Sequence, residues 1–516
     1  MKILQLEKNL QSFFNEENKT VPFKFSDRSS FELYPKSIHK YEDTLFFMAK
    51  ERNYKFLIAI SEEPYLLNRF EGDLVETNSD GFQIKKCFLN TTNRKLIQSM
   101  FSFTIPQVVG LKNSFGFGDR IGLANAGHIR SLKGNNFFPI LAQQSIRELA
   151  RTNRKPEMVM DAAVWAVFQE GYKGGFGSDA DHLKTTDDID LMLEAGFTMF
   201  TFDPSEHVDN NADNYNEQEL LKIASNLPWN DLKDSFPNAE KRYVNKSFQI
   251  TDNFSISVSE SDFLRAYTKY GKAIAHIKKM YDYLASKCDA DKFEVEVSVD
   301  ETDSVTSPFE HFFFANELNR LNVKFISLAP RFVGDFEKGI DYKGDLQLFR
   351  SEYVKHLSIT KYFGNYKISL HSGSDKFSVY RVIGSLKEAF THVKTAGTSY
   401  LEALKVVAAK QPELFREILD FSRNLYETEK KSYHVSADIN KVPASKELKD
   451  QQLVSLFDSN DVRQVLHVTF GRVLTDKKPN GDFLFKDNIL KCLIENEETH
   501  YEFLIKHFQK HLEPFK

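Results

Sequence analysis

The stretch Gly174-Gly175-Phe176-Gly177-Ser178-Asp179-Ala180-Asp181-His182-Leu183-Lys184 gathers three glycines, two aspartates, an imidazole and an ammonium in one short loop. Glycine lets backbone approach a ligand closely. Histidine is a common ligand for divalent metals, and an adjacent aspartate can serve as proton acceptor or second ligand. Neighbouring side chains on an extended segment diverge, so Asp181 and His182 are expected to have separate roles. The same residues also read as a polar turn capping a helix that starts near Thr185-Thr186-Asp187-Asp188.

Further along, Glu294-Val295-Glu296-Val297-Ser298 alternates acid and apolar residues, and Asp300-Glu301-Thr302-Asp303 extends the acidic run. Two glutamates on one face of a strand are costly in a core unless they meet a metal, a cation or a substrate. A role is therefore expected for Glu296 or Glu301, against the alternative of an exposed edge strand. Leu370-His371-Ser372-Gly373-Ser374-Asp375-Lys376 places a histidine at a strand end, ahead of a hydroxyl-rich loop. Thr391-His392-Val393-Lys394-Thr395-Ala396-Gly397-Thr398-Ser399 joins a lysine and hydroxyls to the start of a helix, a pattern that suits either an anion or simple capping. Phe115-Gly116-Phe117-Gly118-Asp119-Arg120-Ile121-Gly122 has GxGxxxG spacing with no clear strand before it, a weak dinucleotide signal. Asp203-Pro204-Ser205-Glu206-His207 leads into a solvated Asn- and Asp-rich run at 209–214.

These segments need a frame that gathers strand ends. Between about 106 and 415, short β-branched or aromatic runs alternate with helical periodicity. Phe197–Asp203, Phe293–Val299, Val323–Leu328 and Tyr366–His371 read as strands, and helices are expected over Asp262–Leu284, from the capping box Ser307-Pro308-Phe309-Glu310 to Leu321, and over Asp345–Phe363. Strand–helix alternation predicts parallel βαβ units. The polar residues gather at strand C-termini, which favours a (β/α)8 TIM-type barrel over a doubly wound sheet. The expected organisation is an accessory α/β region at 1–105, the barrel at 106–415 and a helical C-terminal extension at 416–516 with a capping or dimer role.

A net charge of −5 and a pI near 6.3 argue against nucleic acid or an anionic membrane as partner. The cysteines Cys87, Cys288 and Cys492 are far apart, without the spacing of a disulfide framework or a zinc cage. No apolar run is long enough to span a bilayer, and the N-terminus has no signal-peptide h-region, so a cytoplasmic location is expected.

Taken in order, Gly116–Gly122, Asp179–Lys184, Ser298–Asp303, Leu328-Ala329-Pro330-Arg331-Phe332, His371–Lys376 and Lys394–Ser399 resemble the tagaturonate epimerase family of bacterial hexuronate catabolism. The resemblance implies a divalent-metal-dependent enzyme (Mn²⁺, Ni²⁺ or Zn²⁺) that interconverts D-tagaturonate and D-fructuronate. It casts Asp181 as proton acceptor, His182 and His371 as metal ligands, and Glu296 as proton donor. His392 and Glu301 are candidates for a further ligand, and the 209–214 run departs from the family pattern. The substrate carboxylate needs a cation, for which Arg331, Lys376 and Lys394 are candidates. The inverted carbon lies β to the ketone, so its hydrogen is not acidic. Retro-aldol cleavage and re-addition can invert it, whereas transient oxidation would call for NAD. Other readings are a metal-dependent aldolase or ketose isomerase on a related sugar acid, or a non-catalytic sugar-acid-binding protein.

Overall fold

The computed structural model describes residue 8 and residues 20–26, 29–77 and 81–516. Eight parallel strands close a barrel in chain order: Ser114–Phe117, Phe138–Ser145, Gly177–Leu183, Met199–Phe202, Glu294–Val299, Ser327–Pro330, Lys367–Leu370 and Thr391–Thr395. The eighth pairs with the first, with Lys394 opposite Gly116, so the expected barrel is present and the doubly wound alternative is excluded. The predicted helices form with their expected caps. Ser307 and Glu310 close a capping box on Pro308–Arg320, and Asp345 caps Leu346–Tyr362.

Several strands differ from the sequence reading: the one expected over Val323–Leu328 forms at Ser327–Pro330, and Phe138–Ser145 and Thr391–Thr395 are barrel strands outside the four runs read as strands. Gly177–Leu183, read as a loop, is the third barrel strand, because its polar side chains are satisfied inside the barrel rather than by water. The helix that follows, Thr186–Ala195, does carry the Thr185/Asp188 capping box, so capping and site occur side by side. The GxGxxxG segment starts on the first strand, at Gly116, and barrel closure accounts for its second glycine, just past the strand's end. The Gly118 amide donates to the Thr395 carbonyl at 2.7 Å, and a Cβ there would sit 2.5 Å from that oxygen.

Ahead of the barrel lies a seven-stranded, antiparallel-paired sheet, from Val21–Ser26 to Gln83–Cys87, followed by the helix Thr91–Met100. One face of it, with Phe46, Met48 and Leu57, packs with Trp165 and Phe168 of the barrel helix Pro156–Gln169. After the barrel, helices including Pro412–Glu429, Asn460–Val468 and Lys486–Glu495 bury a second core against Thr398–Lys410. The last helix, Glu497–Leu512, lies so close to Asn125–Ser131 that a Cβ at Gly127 would meet Leu504 at 2.7 Å. The 209–214 run is anchored to the barrel top: Asn210 Oδ1 accepts from the Asp303 amide, and Ser304 Oγ donates to Asp213.

Candidate active site

Barrel interiors are commonly filled by branched apolar side chains. This one carries charge instead. From the eighth strand, Lys394 Nζ donates to Thr201 Oγ1 at 2.6 Å and to Asp181 Oδ1 at 2.7 Å. The same ammonium lies 2.7 Å from Asp179 and 2.8 Å from Glu296. Three N–H groups cannot bond four oxygens fully, so the ammonium acts as a shared charge at the centre of three carboxylates. Burial works against that charge, but the carboxylates outweigh it and hold the lysine well above its ordinary pKa.

Above this layer stand two imidazoles with a common construction. His182 Nδ1 pairs with Asp181 Oδ1 at 2.8 Å, and His371 Nε2 pairs with Glu296 Oε1 at 2.6 Å. Each ring thus has one nitrogen tied to a carboxylate that Lys394 also holds. The other nitrogens approach Asp300: His371 Nδ1 at 3.1 Å, without a hydrogen-bond partner, and His182 Nε2 at 3.9 Å. Ligand atoms of His182, Asp300 and His371 all lie within 4.8 Å of one another.

The expected divergence of Asp181 and His182 is not observed. His182 has φ +56°, and this left-handed turn brings both side chains to one cavity. That cavity, of about 240 Å³, opens over the C-terminal ends of the strands.

The electrostatics explain one another. Burial would raise the carboxyl pKa of Asp181 and Glu296, but the cations outweigh it and hold both well below the usual range. His182 and Lys394 lead for Asp181, and Lys394 and His371 for Glu296. Asp300 is lowered in the same way, chiefly by His371. Burial opposes protonation of the histidines, yet Asp181 lifts His182 to about 9, and Asp300 with Glu296 lifts His371 to about 10.

The carboxylates of Asp181, Glu296 and Asp300 that hold the two imidazoles protonated would equally favour a divalent cation bound in place of their protons. Two imidazoles and a carboxylate suit such an ion, and carboxylates behind the histidines are the usual means of orienting metal-binding rings. The residues therefore fit the implied metal.

Not every expected residue reaches the cavity. Glu296, expected as proton donor, is fully buried, is not part of the cavity wall and is held ionised, with its Oε1 on His371 Nε2. Lys376 is also fully buried, its ammonium donating to the carbonyls of Glu337, Ile340 and Ser374, so it closes a loop instead of meeting an anion. Lys394 lines the cavity, but its charge is committed to the interior carboxylates. His392 lies two residues lower on the same strand, hydrogen-bonded to Ser114, and Glu301 stands at the rim near Arg147. Arg331 does line the cavity, with one guanidinium nitrogen donating to the Thr302 carbonyl.

Asp300 was legible as a strand-end acid but not as the third donor. Its signal is the four-residue step from Glu296, which repeats one face of the strand. Lys338, Tyr433, His434 and His467 also line the cavity, the last three from the C-terminal extension. No local pattern marked them.

The model of the tagaturonate epimerase family matches residues 34–515. The chain belongs to the tagaturonate epimerase family. A tagaturonate/fructuronate epimerase from Thermotoga maritima is 42% identical over 484 residues, covering 94% of this chain and 96% of that protein. Glycerol-complexed and native crystal structures of fructuronate-tagaturonate epimerase from Cohnella laeviribosi superpose with TM-scores of 0.88 and 0.86. Both are 39% identical and cover 94% of this chain and 96% of theirs. The epimerase is thus an isomerase of carbohydrates, and the cluster described above lies within the span its family shares. Among its described residues, no helix is long and apolar enough to cross a membrane.

Proposed function

We propose that this enzyme interconverts D-tagaturonate and D-fructuronate with the aid of a divalent cation held by His182, Asp300 and His371. The observation that carries the reading is the paired construction of the two histidines: each has one nitrogen fixed by a carboxylate on Lys394 and the other facing Asp300. A bound divalent ion supplies Lewis-acid stabilisation of negative charge on the ketone and hydroxyl oxygens.

The remaining work falls to side chains. Asp181 lines the cavity and is kept ionised, so it is placed to accept the proton of the hydroxyl on the inverted carbon. As that proton leaves, the adjacent C–C bond breaks and its electron pair passes to the ketone, giving an enediolate and an aldehyde. The aldehyde turns its other face, the enediolate re-adds through a new C–C bond, and Asp181 returns its proton to the new alkoxide. Positioned acid–base groups contribute about 10²–10⁴-fold to such steps. Glu296 acts from behind His371, setting the ring's orientation and basicity. Arg331 lines the same cavity with its guanidinium anchored to the Thr302 carbonyl, which places a cation beside the substrate's oxygens.

The test strips metal with a chelator, restores Mn²⁺, Ni²⁺ or Zn²⁺, and follows tagaturonate by NMR. A fructuronate signal that vanishes with the metal and returns with it is expected. Turnover that persists without metal sinks the metal assignment, and free three-carbon products in place of fructuronate would make the enzyme an aldolase.

A further inference from the structure

Most charges on the cavity wall are paired. Arg120 bonds Glu148 at 2.7 Å, Lys394 holds Asp181, and His371 faces Asp300. Lys338 has no carboxylate partner among the described residues: its ammonium donates to Ser372 Oγ at 2.6 Å, a hydroxyl next to His371. Its own backbone amide is tied to the His434 carbonyl of the C-terminal extension. Arg147, on the helix Ile146–Thr152, pairs with Glu301 at 3.3 Å, half-exposed at the cavity rim, and its guanidinium lies 5.7 Å from the Tyr433 ring. Glu301 in turn lies 3.9 Å from His182.

The two cations therefore flank the histidine cluster, Lys338 through Ser372 and Arg147 through Glu301. Lys338 is half-buried, and an ammonium partly shielded from water without a countercharge favours an arriving anion. Burial, followed by the nearby Arg147 charge, already disfavours the protonated form of Lys338. An exposed, weakly bonded carboxylate such as Glu301 is readily displaced by a ligand's.

We infer that Lys338 and Arg147 are the pair that binds the substrate carboxylate and so makes the site select a hexuronate over a neutral ketohexose. This rests on the proposed function for the identity of the substrate, but the anion subsite has its own geometry. In the retro-aldol sequence the carboxylate stays on the aldehyde fragment, so the same pair would hold that fragment while it turns. Lys376 and Lys394, the lysines expected for this task, are consumed elsewhere.

Calorimetry with tartronate, a small unreactive hydroxy acid, on the metal-loaded enzyme tests the pair without turnover. Wild type is expected to bind it, with at least tenfold weaker binding in Lys338→Gln and in Arg147→Gln at unchanged metal content. In kinetics, both variants should raise KM for tagaturonate at least tenfold with a smaller change in kcat. Inhibition by D-tagatose, which lacks the carboxylate, should stay within twofold. Equal tartronate affinity in variants and wild type, or none in either, overturns the inference. So does a parallel loss of tagatose binding, which would mark a structural role. Tartronate binding that depends on Lys338, in an enzyme that fails to epimerise tagaturonate, would reject the epimerase reading and leave the anion subsite standing.

Discussion

Two clusters in this molecule have nearly the same composition and opposite character. His182, Asp300 and His371 stand at the barrel mouth; Asp375, His507 and His511 lie between the seventh strand's loop and the last helix. Each brings three potential ligand atoms within 4.8 Å. In the second cluster every one of those atoms is already in use. His507 bridges Asp375 at 2.5 Å and Glu402 at 3.0 Å, and Arg463 donates to the other Asp375 oxygen at 2.6 Å. His511 Nε2 accepts from the Asp375 amide, so its proton sits on Nδ1, where it meets the His507 carbonyl. In the first cluster His371 Nδ1 has no hydrogen-bond partner, His182 Nε2 has none closer than 3.9 Å, and both rings line a cavity. Residue type makes both look like metal sites. Outer ring nitrogens that face a cavity, and an entry path to them, distinguish the one that is open to a ligand.

The comparison can be broken most sharply by removing histidines. His182→Ala and His371→Ala should each lower metal affinity by about 100-fold or more, whereas His511→Ala should leave one ion per chain, read by elemental analysis after dialysis. Two ions in the wild type, or metal loss in His511→Ala, would mean that the second cluster also binds. Asp181→Asn should keep the ion yet lower kcat by about 10²–10⁴-fold, the usual worth of a positioned acid–base group. Retained turnover there would reassign the proton acceptor.

How far the sequence led follows from the same distinction. Strands with β-branched or aromatic runs, such as those ending at Phe202 and Val299, were legible because periodicity reports burial. Gly177–Leu183 was not, since its burial is driven by Lys394, which stands 213 positions away from Asp181 in the chain. Asp181, His182 and His371 could be picked out as chemistry at strand ends. Glu296 was recognised as functional, but its distance from the cavity depends on the depth of the barrel layer, which no local pattern encodes. Lys376 and Lys338 differ in nothing the sequence displays. One meets three carbonyls and the other a single hydroxyl, and only packing decides that.

A smaller effect sharpens the contrast at the carboxylates behind the rings. Glu296→Gln should weaken metal binding about 10- to 100-fold, the usual cost of losing a hydrogen-bonded carboxylate behind a ligating histidine. Glu402→Gln removes the equivalent partner of His507 and should leave metal affinity within twofold. Titration of both variants with Mn²⁺ reads the difference, and equal weakening would erase the functional distinction between the clusters.

The smallest effect concerns stability alone. Burial opposes a charge on His507, but Glu402 and Asp375 outweigh it and raise its pKa to about 9. The neighbouring groups are fixed in complementary states: Asp375 and Glu402 are held below their usual ranges, the former chiefly by Arg463 and His507, the latter chiefly by His507. His511 is pushed down to about 3 by burial and stays neutral. Lys405 lies 3.8 Å from Glu402, and Arg463 completes the positive side. A histidine whose pKa is higher in the folded state contributes stability that is complete below its unfolded value near 6.5 and is lost as pH rises through 9. The carboxylates act in the reverse sense, and their contribution is lost only as pH falls below about 4. Between pH 6.5 and 9.5 the His507 contribution should therefore drain away by at most about 3 kcal/mol. Spread over a chain of 516 residues, that corresponds to a Tm change of only about 3 °C. His507→Gln keeps hydrogen-bonding capacity without titrating, so it should flatten this part of the Tm–pH profile. A variant profile that falls as steeply as the wild type would place the alkaline sensitivity elsewhere and leave the His507 ion pairs without a measurable part in stability.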